Sequence, residues 1–163
     1  MIRIIALLLS TAALSACALQ PLYSGGSQGP VAALLENIKV EPIEGKAGWL
    51  VRNAINDRLK AVGNGEARFR LDVKLDDKIE GFGLRTNDTV TRERRTLRAR
   101  YQLVELATGK SVLDATAGSD AGIDVVGSEY ATIAGENTAL ENLSQTLAQQ
   151  ILVRLTLYAR TQK

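Results

Sequence analysis

The sequence predicts an α+β domain, a two-layer sandwich in which two helices cover one face of a four-stranded, mainly antiparallel sheet in the order β-α-β-β-β-α. Apolar and polar residues alternate in residues 69–76 and 97–103, as in strands with one buried face. In residues 49–62 and 129–158, apolar residues recur at helical spacing. Packing both helices on one face of the sheet buries the apolar side of every element.

The first strand and the first helix lie close together in the chain. Residues 38–42, IKVEP, alternate apolar and polar side chains and stop at a proline, which predicts a short strand. From Trp49 to Val62 the pattern is helical, and Gly63-Asn64-Gly65 ends it. We expect Trp49, at the start of this helix, to contact the core.

Three further strands follow. Phe69, Leu71, Val73 and Leu75 alternate with charged residues, and Leu97, Ala99, Tyr101 and Leu103 do the same. The turn formers of residues 81–88 predict a hairpin between these two strands. Residues 107–110, ATGK, predict a second turn, and residues 111–117 a fourth strand with Leu113, Ala115 and Ala117 facing inward.

The last element is a long helix from Glu129 to about Tyr158. Gly135 and Asn137 weaken its first turns, so a break at Gly135 remains an open alternative. We expect Tyr130 to contact the core. The predicted buried stripe consists of Ile133, Leu140, Leu143, Leu147, Ile151, Leu155 and Tyr158.

The first 30 residues predict an export signal with a lipid anchor. Arg3 precedes an apolar run over residues 4–14, which is shorter than the roughly 20 residues that a spanning helix needs. Leu14-Ser15-Ala16-Cys17 matches the bacterial lipobox, so residues 1–16 are the expected signal peptide and Cys17 the acylated first residue of the mature protein. An ordinary leader with an incidental cysteine is the alternative.

The mature chain is expected to consist of a flexible tether and one domain. Residues 17–30 form the tether, which is rich in glycine, and residues 31–163 form the domain. Acyl chains anchor a protein to a membrane without spanning it. Ala18 stands where many inner-membrane lipoproteins carry aspartate, so we expect the periplasmic side of the outer membrane.

Composition excludes several function classes. With no histidine and one cysteine in 163 residues, a zinc site and an imidazole-activated nucleophile cannot be assembled, so we expect no enzyme, metal or cofactor. Asp76, Asp77 and Glu80 lack the spacing of a calcium loop. A net charge of +2 and an export signal both argue against nucleic acid.

Four arginines of the third strand form the candidate binding site: Arg92, Arg94, Arg98 and Arg100. Their parity is opposite to that of the strand's apolar residues, so they should project from the face that the helices leave open. Guanidinium groups fit phosphate and carboxylate geometry, which suggests a phosphorylated glycolipid or an acidic protein surface as ligand. The alternative is a solvated face on which Asp72 and Asp76 neutralise part of the stripe.

Several segments together resemble a known family. Cys17 followed by Gln20-Pro21-Leu22-Tyr23, then NIKVEPIEG, TRERRTLRARYQLVELATGKSVL and SEYATIAGENTALENLSQTLAQQILVRLTLYA, is similar to the lipopolysaccharide (LPS)-assembly lipoproteins of the LptE family of α-proteobacteria. Ala18-Leu19 replaces an expected Gly-Phe. The resemblance covers nearly the whole mature chain.

The resemblance implies a fold and a function. The family's small sheet carries two helices on one side, and its members complex with the outer-membrane barrel LptD, partly as a plug in the lumen. They assist the barrel's assembly and deliver LPS to the outer leaflet, with LPS binding attributed to basic residues of the sheet. The alternative is an auxiliary lipoprotein of an ABC-type lipid or solvent export system.

Overall fold

The computed structural model describes residues 29–84 and 90–161 as three helices and four strands. The helices are α1 (Pro30–Leu35), α2 (Gly45–Lys60) and α3 (Glu129–Thr161). The strands are β1 (Ile38–Val40), β2 (Phe69–Leu84), β3 (Val90–Glu105) and β4 (Ser111–Asp124). The predicted α+β architecture is confirmed.

The sheet is mixed, with strand order β1-β2-β3-β4. β1 runs parallel to β2 over three residue pairs, from Ile38↔Phe69 to Val40↔Leu71. The β2–β3 and β3–β4 pairs are antiparallel along nearly their whole lengths, with a register shift between Leu103 and Val104. The sheet is therefore mainly antiparallel, as predicted.

The core lies between the sheet and the layer of α2 and α3. Leu97, Leu103 and Tyr101 of β3 are at most 2% exposed, and α3 contributes Leu147 and Ile151, which are fully buried. The alternation that predicted the strands therefore gives the correct inward face. Among the described residues, no helix combines the length and apolar character that crossing a membrane requires.

α3 is continuous through Gly135, so the break is absent. A side chain at Gly135 would come within 3.3 Å of the Ile123 side chain, so the glycine allows the helix to approach β4 closely. The 33 residues of α3 span about 50 Å, which matches the roughly 53 Å of a 16-residue strand such as β3. One straight helix can thus cover the whole length of the hairpin.

Several local predictions were wrong. Trp49 and Tyr130 are 63% and 83% exposed rather than in the core, and Ile133 is 47% exposed rather than part of the buried stripe. The short helix α1, which begins at the last residue assigned to the tether, was not predicted. β2 also continues through Leu84, into the segment predicted as a turn.

Candidate binding face of the sheet

The structure places the four candidate arginines together on the face of the sheet opposite the helices, which we call the open face. Leu97, Ala99 and Tyr101 point into the core, and strand alternation turns Arg98 and Arg100 to the other side. Arg92, Arg94, Arg98 and Arg100 are all exposed. The predicted placement of the stripe is therefore correct.

Three of these arginines form ion pairs with β4. Arg92 Nε lies 3.1 Å from Asp124 Oδ1, and Arg98 Nη2 lies 3.2 Å from Asp120 Oδ1. Arg100 donates to both oxygens of Asp114, from Nε at 3.2 Å and from Nη2 at 2.9 Å. These pairs are exposed to solvent, so each contributes little to the stability of the fold.

Asp72 and Asp76, the two carboxylates that the alternative assigns to neutralising part of the stripe, have cations of their own strand as partners. Arg70 Nε lies 3.0 Å from Asp72, and Lys78 Nζ lies 3.2 Å from Asp76. Three arginines of the stripe are neutralised across strands, but by the aspartates of β4 and not by those of β2. The sequence alone could not show this, because the β3–β4 register decides which carboxylates lie close enough to the arginines.

Asp114 is the most strongly perturbed carboxylate of the open face. Hydrogen bonds from Arg100, and next from Gln102 Nε2 at 2.8 Å, hold the pKa of Asp114 below its usual value. The same hydrogen bond to Asp114 raises the pKa of Arg100. Asp114 therefore keeps its charge in moderately acidic solution.

Arg94 differs from the other three arginines. Its guanidinium carbon lies 5.3 Å from the centre of the Phe82 ring on β2, within the range of a cation–π contact. No carboxylate within 4 Å of Arg94 is found in residues 29–84 or 90–161. Phe82 therefore positions a guanidinium that has no carboxylate partner among the described residues.

The open face is close to electrically balanced over the described strands. Its basic residues are Lys39, Arg70, Lys74, Lys78, Arg92, Arg94, Arg98 and Arg100. Its acidic residues are Asp72, Asp76, Glu80, Asp114, Asp120 and Asp124. Two basic groups remain in excess on these strands, so any anion site depends on local geometry and not on a strong overall field.

A small groove on the open face is lined by Asp72, Lys74, Arg100 and Gln102 and has a volume of about 260 Å³. Lys74 lies directly across from Arg100 on the neighbouring strand. Two cationic groups thus share this groove with one carboxylate, that of Asp72. The groove and Arg94 are thus two places on the described part of the face where an anionic group finds a cationic donor.

Arg95 points to the helix side, which sequence analysis did not predict. Its side chain is 11% exposed, donates to both oxygens of Asp77 at 2.9 and 2.6 Å, and donates to the Glu136 carbonyl at 2.9 Å. The hydrogen bonds that Arg95 donates to Asp77 are the main cause of the raised pKa of Arg95. Arg95 therefore ties β2, β3 and α3 together and does not belong to the open face.

The described part of the chain contains no cluster of three metal-binding side chains. Asp77 faces the helices whereas Asp76 and Glu80 face the other way, because residues of opposite parity occupy opposite faces of a strand. Cys17, the predicted lipidation site, lies outside the described residues.

Comparison with known proteins gives one family and a set of similar folds. The model of the family LptE, lipopolysaccharide-assembly, matches residues 35–155. No curated protein matches the chain.

Three similar crystal structures are those of lipoproteins. One from Caulobacter crescentus is 20% identical with a TM-score of 0.64, covering 81% of this chain and 98% of that one. Rare lipoprotein B from Shewanella oneidensis is 12% identical with a TM-score of 0.60, covering 77% and 96%. A minor lipoprotein from Acinetobacter baumannii is 14% identical with a TM-score of 0.57, covering 76% and 92%. At these identities the likeness shows a shared fold.

Proposed function

The chain belongs to the LptE family of lipopolysaccharide-assembly proteins, and from this membership we propose that it is an outer-membrane lipoprotein that complexes with the LptD β-barrel. In that complex it assists the assembly of the barrel and takes part in LPS binding and delivery to the outer leaflet. The match over residues 35–155 carries the proposal. The family's role in LPS assembly requires no catalytic group, in keeping with a non-enzymatic protein.

Acylation of Cys17 is the proposed means of attachment to the membrane. The lipobox at residues 14–17 supports it, and residues 17–30 would let the domain stand away from the bilayer. Mass spectrometry of the membrane-extracted protein tests this step. The expected mass is that of a chain beginning at Cys17 with a diacylglyceryl group and an amide-linked acyl chain. Full-length or unmodified protein would contradict it.

The open face is the proposed LPS-binding surface, with Arg94, Arg98 and Arg100 as the principal donors and Arg92 at its far end. The phosphate groups of lipid A suit guanidinium donors, which can bind two oxygens at once. Arg94 can bind a phosphate without first releasing a carboxylate of the described residues. Arg98 and Arg100 must first release Asp120 and Asp114, which costs little because both pairs are exposed to solvent.

Substitution of the arginines tests this surface. Replacing Arg98 and Arg100 together with aspartate should weaken LPS binding at least tenfold, since two donors become two repelling charges. Arg94→Gln should weaken it by a smaller factor. The control is Arg154→Gln, which removes an exposed guanidinium from the helix layer. Unchanged binding in both open-face variants would refute the arginine assignment.

The partner is tested by extraction of the outer membrane in mild detergent, followed by affinity purification of the full chain. Co-elution with one large β-barrel protein is the expected result. Co-elution with inner-membrane transporter subunits would instead support the alternative, an auxiliary lipoprotein of an ABC-type export system. Depletion of the protein should also reduce LPS at the cell surface and leave the barrel misassembled, whereas normal levels of both would contradict the proposal.

A further inference from the structure

A second groove, which we call the β4 groove, lies between β4 and α3 at the outer edge of the sheet. Its volume is about 570 Å³, within the range of ligand-binding pockets. Residues 114–117 of β4 line it together with Tyr101, Gln149, Gln150, Val153, Arg154 and Leu157. Consecutive strand residues alternate between the two faces of the sheet, yet four of them border this groove. The β4 groove therefore runs along the backbone edge of the strand.

Backbone groups of β4 point toward this groove. Gly118 turns its N–H and its carbonyl away from β3, and the side-chain amide of Gln150 accepts from the N–H at 3.1 Å and donates to the carbonyl at 3.3 Å. Alternate residues of a strand turn their backbone groups to the same side, so those of Thr116 and Asp114 also point outward. In the described part of the chain, no strand pairs with this side of β4 and no backbone group bonds to these two residues there. Their N–H and carbonyl groups thus form an open template for another strand.

The Gln150 amide shows that this edge can bind a peptide group beneath α3. One amide satisfies the donor and the acceptor of Gly118 together, as a neighbouring strand would. Gln150 belongs to α3 and reaches the outer side of β4, so the helix lies above the place that an added strand would take. The amide fills only the Gly118 end of the groove.

A buried tyrosine borders the same groove. Tyr101 of β3 is 2% exposed, and its hydroxyl has no hydrogen-bond partner among the described residues, although buried tyrosine hydroxyls usually have one. Burial raises the pKa of Tyr101, and the nearby positive charge of Arg154 acts in the opposite direction. The hydroxyl and the guanidinium are two donors that suit a carboxylate.

We propose that the β4 groove binds an extended segment of a partner protein, which adds to the sheet as a fifth strand beside residues 114–118. The segment pairs with the backbone groups of Asp114 and Thr116, and at Gly118 it replaces the Gln150 amide. In this mode of recognition the main chain supplies affinity and the alternating side chains supply specificity.

The walls of the groove define the side chains of such a segment. Ala115 and Ala117 are small and half-buried, which leaves space between the sheet and α3. Val153 and Leu157 of α3 form the other wall, and Leu157 is 41% exposed. Arg154 is exposed beside them and complements an acidic residue. The expected segment therefore carries apolar residues at alternate positions and one carboxylate among them.

Neither an acyl chain nor a second copy of β4 suits this edge as well. Hydrocarbon would bury the backbone groups of Asp114 and Thr116 without a hydrogen-bond partner, which is unfavourable. The charged residues of β4 are all acidic, so two copies paired edge to edge would bring like charges together. An acidic, partly apolar peptide avoids the first problem, and Arg154 offsets its charge.

Two synthetic peptides with blocked ends test the proposal: Thr-Val-Thr-Glu-Thr-Val-Thr and the same peptide with lysine in place of glutamate. Binding to the full chain in mild detergent is followed by fluorescence anisotropy. The wild type should bind the glutamate peptide about threefold or more tightly than the lysine peptide, and Arg154→Glu should reverse this order. The control Lys60→Glu makes the same charge change on α2 and should keep the wild-type order. No binding of either peptide, or equal affinities in the wild type, would overturn the proposal.

A proline tests the backbone pairing. Thr116→Pro removes an N–H that does not pair with β3, so the fold should tolerate it, as edge strands do. This variant should bind the glutamate peptide about tenfold or more weakly, whereas Thr116→Val, which keeps the N–H, should bind it like the wild type. Wild-type affinity in the proline variant would refute strand addition.

Amide hydrogen exchange of the wild-type chain gives a readout that needs no variant. The glutamate peptide should slow exchange at Thr116 about tenfold or more, because the amide becomes hydrogen-bonded. Unchanged exchange there would overturn the proposal. Laurate is the lipid probe, and laurate that binds in the groove while the peptide does not would assign the groove to lipid instead. This inference goes beyond the proposed function, and none of these tests requires LPS or the barrel.

Discussion

Replacing Arg95 with alanine is expected to destabilise the protein by about 2 kcal/mol, several times more than the same replacement at Arg92 on the same strand. Arg95 makes hydrogen bonds to Asp77 and to the Glu136 carbonyl, and its side chain is 11% exposed. The Arg92–Asp124 pair has a single contact of 3.1 Å, and its side chains are 64% and 76% exposed. The two sites are both arginine–aspartate pairs, but they differ in burial and in the number of hydrogen bonds.

The magnitude follows from the exposure of the groups left behind. A fully buried pair costs about 3–5 kcal/mol when one partner is removed, and an exposed pair about 0–1 kcal/mol. Asp77 is 26% exposed beside Arg95, so it can recover part of its hydration after Arg95→Ala, while the Glu136 carbonyl loses one donor. The expected loss of about 2 kcal/mol lies between these limits, and Arg92→Ala should cost less than about 0.5 kcal/mol.

Urea denaturation of the full chain, followed by far-UV circular dichroism, measures both losses. With a slope of about 2 kcal/mol per molar urea, Arg95→Ala lowers the midpoint by about 1 M, and Arg92→Ala by less than about 0.3 M. A double-mutant cycle with Asp77→Asn should give a coupling of about 1 kcal/mol or more. Equal losses at Arg95 and Arg92 would refute the argument that burial makes the difference.

Three other outcomes are expected. Leu147→Ala, at a fully buried position, should cost about 3 kcal/mol in the same urea assay and exposed Leu157→Ala less than about 1 kcal/mol; similar losses would contradict the assigned core. Because Arg100 helps to hold the pKa of Asp114 down, Arg100→Gln should raise that pKa in an NMR titration, and an unchanged value would exclude this cause. Since the folded-state pKa is the lower one, Asp114 favours folding above its usual pKa of about 4, and this contribution disappears as the pH falls through the folded value. Gly118→Ala should displace the Arg98 side chain, which a methyl group there would overlap, and shift its NMR signals; unchanged signals would contradict the close approach.

The alternation of apolar and polar residues predicted which face each β3 residue occupies, because the helices bury one side of that strand. The same alternation underestimated the lengths of the strands, because it ends where the buried side ends. Toward the far end of the hairpin the helix side carries Asp77, Glu93 and Arg95, so charged residues occur on both faces and the apolar alternation stops. The backbone hydrogen bonds between β2 and β3 continue there to Phe82↔Arg92 and beyond. Such pairing does not depend on the side chains, so the pattern of apolar residues in the sequence does not reveal it.

The exposed aromatics show a second limit of sequence analysis. Trp49 and Tyr130 stand at the starts of predicted helices, where apolar character alone suggests a core position. Burial depends on whether another element lies over the side chain, which local periodicity does not reveal. Both helices begin at places where nothing in the described chain covers these side chains, so they remain 63% and 83% exposed.

The near balance of charge on the open face bears directly on how an LPS phosphate could bind there. A face with two excess cations among its described residues attracts a distant anion only weakly, and exposed charges are further screened beyond about 10 Å at 0.1 M salt. Recognition must then come at contact distance, where a phosphate replaces an aspartate that holds its arginine only weakly. Arg94, already positioned by Phe82 and without a carboxylate partner among the described residues, is the natural first contact. If the open face binds LPS as proposed, the expected order of engagement runs from Arg94 to Arg98 and Arg100, and Arg94→Gln should slow LPS association more than it speeds dissociation. A variant that changes only the dissociation rate would contradict this order.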